Sequence, residues 1–183
     1  MLFDQWTQAL QALGPSFHVH SFGPYAVKVS PRGMESARAS LAVTGGIHGD
    51  EPAGAWSALE VLRLLGSGTV VLYAPVSLAI GNPDAIKRNV RFCDRDLNRS
   101  FGGDFPETIE GCRVRELEPM LRDAVTYLDL HQTKPASERP FYIFPFSERS
   151  MAFARALAPD QRIVTHRSGY STEGKCSDEW VQS

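Results

Sequence analysis

The sequence lacks the features of several protein classes. No apolar run approaches the roughly 18 residues that a membrane-spanning helix requires, and the first residues carry no basic segment of a secretory signal. There are only 3 cysteines among 183 residues, an odd number without metal-binding spacing, so neither a disulfide framework nor a cysteine-rich zinc site is expected. We therefore expect a cytoplasmic protein without a membrane anchor.

An excess of basic charge is also missing. The net charge is −2 and the isoelectric point is about 6.2, which argues against non-specific binding to nucleic acid. Hydrophobic residues make up 43% and charged residues 22% of the chain, as in ordinary globular proteins. A chain of 183 residues can bury one sizeable core, so we expect a single domain over residues 1–183. The oligomeric state stays open.

Strand-like and helix-like segments alternate along the chain. This alternation predicts an α/β fold of three layers, in which a mostly parallel, twisted and mixed sheet carries helices on both faces. The predicted helices span residues 3–13, 53–65, 108–124 and 148–158. The predicted strands span residues 39–44, 69–74, 125–130 and 141–146, with a hairpin over residues 19–29.

The segment Gly-Gly-Ile-His-Gly-Asp-Glu at residues 45–51 holds a histidine and a carboxylate three residues apart. It follows the predicted buried strand and precedes a helix that begins near Pro52, so it forms a strand-to-helix turn. Open α/β sheets keep their sites at the carboxyl ends of strands. His48 and Glu51 are therefore predicted to be two metal ligands.

A third ligand is predicted at His131, where the apolar strand 125–130 ends. Two histidines and one glutamate, with a fourth position open, form a known ligand set for catalytic zinc. Asp129 lies on the same face of the strand and can orient the His131 ring. The remaining histidines follow no glycine turn and are expected to be structural or exposed: His18, His20 and His166.

A polar segment rich in arginine lies between the ligands, at residues 82–101. Arg99 and Asn98 together can hold a substrate carboxylate, because arginine presents paired planar donors. Arg91 can instead point at a scissile carbonyl and stabilise the negative oxygen that forms there. A solvated charged loop is the alternative interpretation of the same residues.

Three motifs follow one another in order along residues 39–133. They are Gly46-x-His48-Gly49-x-Glu51, then Arg91-x-x-Asp94-x-Asp96-Leu97-Asn98-Arg99-x-Phe101, then Asp129-Leu130-His131. Together they resemble the succinylglutamate desuccinylase/aspartoacylase family, within the wider zinc carboxypeptidase superfamily. The resemblance implies a zinc-carboxypeptidase-like fold and one zinc ion on His48, Glu51 and His131.

The same resemblance implies a reaction. Asn98 and Arg99 would contact the substrate, Arg91 would polarise the carbonyl, and zinc would activate water for hydrolysis of an amide. The substrate would be a small molecule or short peptide that carries a carboxylate. Deacylation of an N-acyl amino acid is the first expectation, and trimming of short or murein peptides by a metallocarboxypeptidase is the alternative.

The carboxyl-terminal part departs from the family pattern. Family members use a glutamate general base on a later strand, and residues 168–180 are similar to what precedes that strand in murein-peptide-cleaving relatives. Glu173 is the nearest substitute, although its position among serine, threonine and glycine in a predicted loop argues against it. We therefore expect either a chain truncated at its carboxyl end or a module that binds metal and carboxylate without catalysis.

Overall fold

Two groups of strands form the framework of the computed structural model, which describes residues 1–135, 137–166 and 175–182. The strands are β1 (Phe17–Gly23), β2 (Ala26–Pro31), β3 (Ala39–Gly45), β4 (Val76–Ile80), β5 (Ala124–Leu130), β6 (Phe141–Pro145) and β7 (Arg162–His166). The helices are α1 (Leu2–Gln11), α2 (Ala53–Gly66), α3 (Pro83–Arg88), α4 (Ile109–Arg122), α5 (Glu148–Leu157) and α6 (Ser177–Gln182), and one 3-10 turn spans Leu97–Arg99.

Five strands form the central sheet in the order β1-β2-β4-β3-β5, and β6 pairs with β7 in a second sheet. β3 is parallel to both β4 and β5, whereas β2 is antiparallel to β1 and β4. The predicted mixed, mostly parallel sheet is thereby confirmed. Gly45 at the end of β3 pairs with Ile80 of β4 and Leu130 of β5, so the three carboxyl ends are level. Residues that follow these strands consequently meet at one edge.

Helices cover the central sheet on both faces, as the alternating pattern predicts. On one face, α1 and α2 contribute Trp6, Leu59 and Leu62, all fully buried, to one apolar core. On the other face, α4 contributes Leu117 and Met120 to a second core. The sheet between these two cores is rigidly held, which gives the loops at its edge fixed starting points. Among the described residues, none of the helices combines the length and apolar character that a membrane span requires.

The prediction of a buried strand at residues 69–74 is wrong. The strand lies at Val76–Ile80 and all five of its residues are buried, whereas Val71 is 64% and Tyr73 83% exposed. Valine and tyrosine favour strands only where a pleated surface has neighbours to contact. Here the chain reaches β3 only at Pro75, whose carbonyl accepts a hydrogen bond from the Ser40 N–H.

Helix α3 lies within the polar segment 82–101, for which the sequence predicts no helix. Its amino-terminal signal is nevertheless local: the Asn82 side chain accepts a hydrogen bond from the Ala85 N–H, and Pro83 occupies the first turn. The helix ends at Asn89, which adopts a left-handed conformation with φ 52°. The arginine-rich loop that follows is therefore shorter than the sequence suggested, and it begins from a fixed helix end.

Candidate metal centre and substrate loop

The turn after β3 needs glycine at two positions. Gly46 has φ +74°, a left-handed value that favours glycine, and a Cβ on Gly49 would lie 2.1 Å from the backbone carbon of Ala85. The turn can therefore pack against α3 only because Gly46 and Gly49 carry no side chain. His48 and Glu51 extend from this turn and are almost fully buried, with 4% and 5% of their surface exposed.

The three predicted ligands converge at the edge of the sheet. One candidate ligand atom from each of His48, Glu51 and His131 lies within 4.8 Å of the others. The carboxylate of Glu51 is central: its Oε1 lies 3.1 Å from His48 Nδ1, and its Oε2 lies 2.9 Å from His131 Nδ1. This set of two imidazoles and one carboxylate could hold a metal ion.

Each histidine also has an aspartate behind it. His48 Nε2 lies 3.1 Å from Asp96 Oδ1, and His131 Nε2 lies 2.8 Å from Asp129 Oδ2. In metal sites the second imidazole nitrogen commonly donates to a carboxylate, which fixes the ring and its tautomer. The contact expected between Asp129 and His131 is present. Sequence reasoning missed the role of Asp96, which lies 48 positions from His48 and meets it only in the folded chain.

One nitrogen atom indicates that the cluster is built for a further partner. His48 Nδ1 is buried and has no hydrogen-bond partner, although Glu51 Oε1 is 3.1 Å away. The separation matches a hydrogen bond but none is formed, so the nitrogen is unsatisfied. A buried unsatisfied nitrogen is costly unless another group binds it. The residues present therefore fit a metal ion on the Nδ1 side of both histidines.

The charges of the cluster reinforce one another. Burial opposes ionisation of Glu51, but the hydrogen bond from His131 and the charges of both histidines outweigh it and lower its pKa to about 2. Burial likewise opposes the charge of His131, yet Asp129 and Glu51 raise its pKa to about 10. Burial would raise the pKa of Asp96, but the hydrogen bond and charge of His48 lower it. Asp129 and Glu51 thus stabilise positive charge at His131, which a bound metal ion would supply in place of the ring proton.

Arg91 lies at the border of this cluster. Its Nη1 donates a hydrogen bond to Glu51 Oε1 at 2.9 Å, and its side chain is 47% exposed. Its backbone carbonyl accepts a hydrogen bond from the Gly49 N–H at 3.0 Å, which ties the arginine loop to the ligand turn. One nitrogen of the guanidinium thus contacts a candidate ligand, while the side chain as a whole remains partly exposed.

Asn98 and Arg99 occupy the 3-10 turn next to the cluster. The Oδ1 of Asn98 accepts hydrogen bonds from the Ser177 N–H at 3.0 Å and the Ser177 hydroxyl at 3.3 Å. Because the amide oxygen is engaged, the Nδ2 group is the part of Asn98 that can donate to a ligand. Arg99 is exposed and its Nη1 donates to the Asn98 carbonyl at 2.6 Å. These two residues are adjacent to Asp96, whose Oδ1 accepts the Asn98 N–H at 2.9 Å.

Ser177 is a site residue that sequence reasoning missed. Besides contacting Asn98, its hydroxyl lies 3.3 Å from Asp129 Oδ2, so it connects the 3-10 turn that carries Asn98 with the aspartate behind His131. Its only local signal is its place at the start of α6, a position that suits serine.

Glu173, the nearest candidate for a general base, lies outside the described residues. His18 and His20 are on β1, which is separated from β3 by two strands, β2 and β4, and His166 ends β7.

Comparison with known proteins agrees with this geometry. Residues 37–181 match the family model of the succinylglutamate desuccinylase/aspartoacylase catalytic domain. Succinylglutamate desuccinylase of Pseudomonas paraeruginosa is 32% identical over 153 residues, which cover 78% of this chain and 46% of the relative. The enzyme of the same name from Photorhabdus laumondii is 39% identical over 158 residues, covering 75% and 48%. The chain thus spans about half the length of the curated relatives it matches.

Solved structures share the fold. A succinylglutamate desuccinylase from Chromobacterium violaceum superposes with a TM-score of 0.69 at 22% identity, over 96% of this chain and 64% of that chain. Murine aminoacylase 3 superposes with a TM-score of 0.58 at 24% identity, over 79% and 53%. At these identities the likeness establishes the fold alone, whereas the family model covers most of the sequence. The chain belongs to the succinylglutamate desuccinylase/aspartoacylase family.

Proposed function

We propose that residues 1–183 form a hydrolase domain that uses one zinc ion to cleave the amide bond of a small N-acyl amino acid. The observation that carries this proposal is the convergence of His48, Glu51 and His131, each histidine with a carboxylate behind it. The relatives named as succinylglutamate desuccinylases support deacylation over peptide trimming.

The ligand set favours zinc among common metals. Calcium and magnesium prefer oxygen ligands, whereas two imidazoles with one carboxylate suit zinc and leave a coordination position open. His48 and His131 would bind through Nδ1, because Asp96 and Asp129 engage the opposite nitrogens. When bound, zinc would supply Lewis acidity that polarises a carbonyl and activates water.

The neighbouring residues would hold and orient the substrate. Asn98 would donate through Nδ2 and Arg99 through its guanidinium fork to the substrate carboxylate, because the two residues are neighbours on one turn, where Arg99 is exposed and Asn98 partly buried. Arg91 would stabilise negative charge on the carbonyl oxygen during attack, since its guanidinium has further N–H donors beyond the one given to Glu51.

Proton transfer is the role with no assigned group in the described part of the chain. Asp96 and Asp129 border the cluster, but both already hold a histidine. A positioned base typically contributes about 10²- to 10⁴-fold to a hydrolytic rate. This observation favours one second candidate function, a module that binds metal and carboxylate without turnover.

Elemental analysis of purified protein tests the metal site. We expect about one zinc per chain, lost in His48→Ala and His131→Ala because two ligands leave an incomplete shell. His20→Ala, which removes a histidine on β1, is the matched control and should retain zinc. Stoichiometric zinc in both ligand variants would refute the proposed site.

Calorimetric titration with N-succinyl and N-acetyl amino acids separates the two candidate functions. Both functions require binding, but only the hydrolase releases free amino acid, which an amine-reactive dye detects.

A cytoplasmic location, expected from the cysteine content, stays a prediction that cell fractionation can test.

A further inference from the structure

Glu110, in the first turn of α4, has a fully buried side chain with 0% exposure. Its carboxylate accepts hydrogen bonds from three consecutive backbone N–H groups, those of Cys93 at 2.7 Å, Asp94 at 3.1 Å and Arg95 at 3.3 Å. Asn82 Nδ2 donates a fourth at 2.9 Å. A buried carboxylate is costly unless such charge-assisted bonds satisfy its oxygens. The backbone of residues 93–95, in the arginine-rich loop after α3, is therefore folded around the buried carboxylate of Glu110.

The loop and helix α4 are joined by hydrogen bonds in which each segment accepts N–H groups of the other. While Glu110 accepts the loop amides, Asp94 Oδ2 accepts the N–H of Ile109, the first residue of α4, at 2.8 Å. Thr108 caps the same helix by accepting the Gly111 N–H. The first N–H groups of a helix need such external acceptors. The position of the loop is consequently set by the rigid helix.

Both ends of this loop reach the candidate metal ligands. On one side Arg91 donates to Glu51, and on the other Asp96 contacts His48. Asp96 follows directly after Arg95, the last residue whose amide Glu110 accepts. The hydrogen bonds of Glu110 in the described part of the chain go to Asn82 and to the loop backbone, not to a candidate ligand. Its influence on the site would pass through the backbone that it fixes.

We propose that Glu110 is a positioning residue whose buried carboxylate sets the conformation of residues 91–98. With the loop so held, Arg91, Asp96 and Asn98 are aligned with the cluster before any ligand binds. Alignment in advance strengthens binding, because less freedom is lost on association. The consequence for zinc and substrate rests on the proposed function, whereas the conformation of the loop does not.

Glu110→Gln tests the proposal with almost no change in volume. The amide keeps one acceptor oxygen but replaces the other with a donor, so at least one loop N–H faces another N–H. By amide hydrogen exchange we expect about tenfold or more loss of protection at Cys93, Asp94 and Arg95, with α2 unchanged. Zinc affinity should fall about tenfold, as for other groups that support ligands indirectly.

Glu107→Gln is the matched control, because it removes the same charge three positions earlier from an exposed side chain. It should leave both loop protection and zinc affinity at wild-type values. A merely structural role of Glu110 would lower the melting temperature without changing zinc affinity in the folded variant. A folded Glu110→Gln protein with wild-type loop protection or wild-type zinc affinity would overturn the proposal.

Two further measurements decide the matter if Glu110→Gln does not fold. In the wild-type chain the three loop amides should exchange slowly although they lie outside helices and strands, and rapid exchange would overturn the proposal. Asp94→Ala, which removes the return bond to Ile109 from an exposed side chain, should reduce the same protection. Failure of the wild-type chain to bind zinc would refute the proposed function. Amide hydrogen exchange at residues 93–95 would still test whether Glu110 fixes the conformation of the loop.

Discussion

Substitution of Asp96 by asparagine tests how the site holds His48. Asparagine keeps the size of the side chain and an acceptor oxygen but removes the charge that faces His48 Nε2 at 3.1 Å. Hydrogen bonds to charged groups contribute about 1.5–3 kcal/mol, and losing a carboxylate behind a ligating histidine typically costs about 10- to 100-fold in metal affinity. The Asp96 side chain is 26% exposed, so water screens part of this interaction. We therefore expect a loss near the lower end, about tenfold or about 1.4 kcal/mol.

Competition with a chelating fluorophore at pH 7 would measure the zinc dissociation constant of this variant. Asp84→Asn is the control, because Asp84 pairs with Lys87 on the exposed side of α3 and touches no candidate ligand. Asp129→Asn should weaken zinc binding in the same direction, since Asp129 lies behind His131. If Asp96→Asn and Asp129→Asn both bind zinc like the wild type, the aspartates do not support the ligands and the reasoning fails.

Two further substitutions test the proposed role of Arg99 and the glycine turn that carries His48 and Glu51. Arg99→Lys should weaken binding of N-acyl amino acids about tenfold while zinc affinity stays constant, because lysine keeps the charge but loses the planar fork. An unchanged affinity for these ligands in calorimetry would mean that the Arg99 side chain contacts solvent and not the ligand. Gly49→Ala should destabilise the fold by about 1–3 kcal/mol, since its Cβ would overlap the backbone of Ala85 at 2.1 Å. Thermal unfolding checks this against Gly66→Ala, whose nearest neighbouring atom is 3.3 Å away; equal melting temperatures would contradict the close approach.

The sequence alone was sufficient for the features that depend on neighbouring residues. The glycine turn that bears His48 and Glu51 follows a β-rich run and precedes a periodic helix, and each signal lies within a few positions of the next. The strand that ends at His131 is similarly local. Because carboxyl ends of parallel strands share one sheet edge, two local patterns predicted a meeting of residues 80 positions apart. The α/β architecture followed from the same alternation.

Contacts that depend on how loops fold back were decided by the tertiary structure. Asp96 stands in a recognisable motif, yet nothing in its neighbourhood indicates that it lies behind His48. Glu110 has the sequence context of an ordinary helical first-turn acid, which predicts solvent exposure and a helix-dipole role. Its burial results from packing of α4 against the loop. Ser177 joins Asn98 and Asp129, which come from separate elements.

The physical reason for this division is the range of each interaction. Periodicity, capping and turn chemistry act over a few residues, so a linear pattern records them. Hydrogen bonds between distant segments depend on strand register, helix position and loop path together, and a change in any of these would direct the same side chain elsewhere. The convergence of the candidate ligands was therefore predictable from sequence, whereas the groups that contact them from behind were determined only by the folded chain.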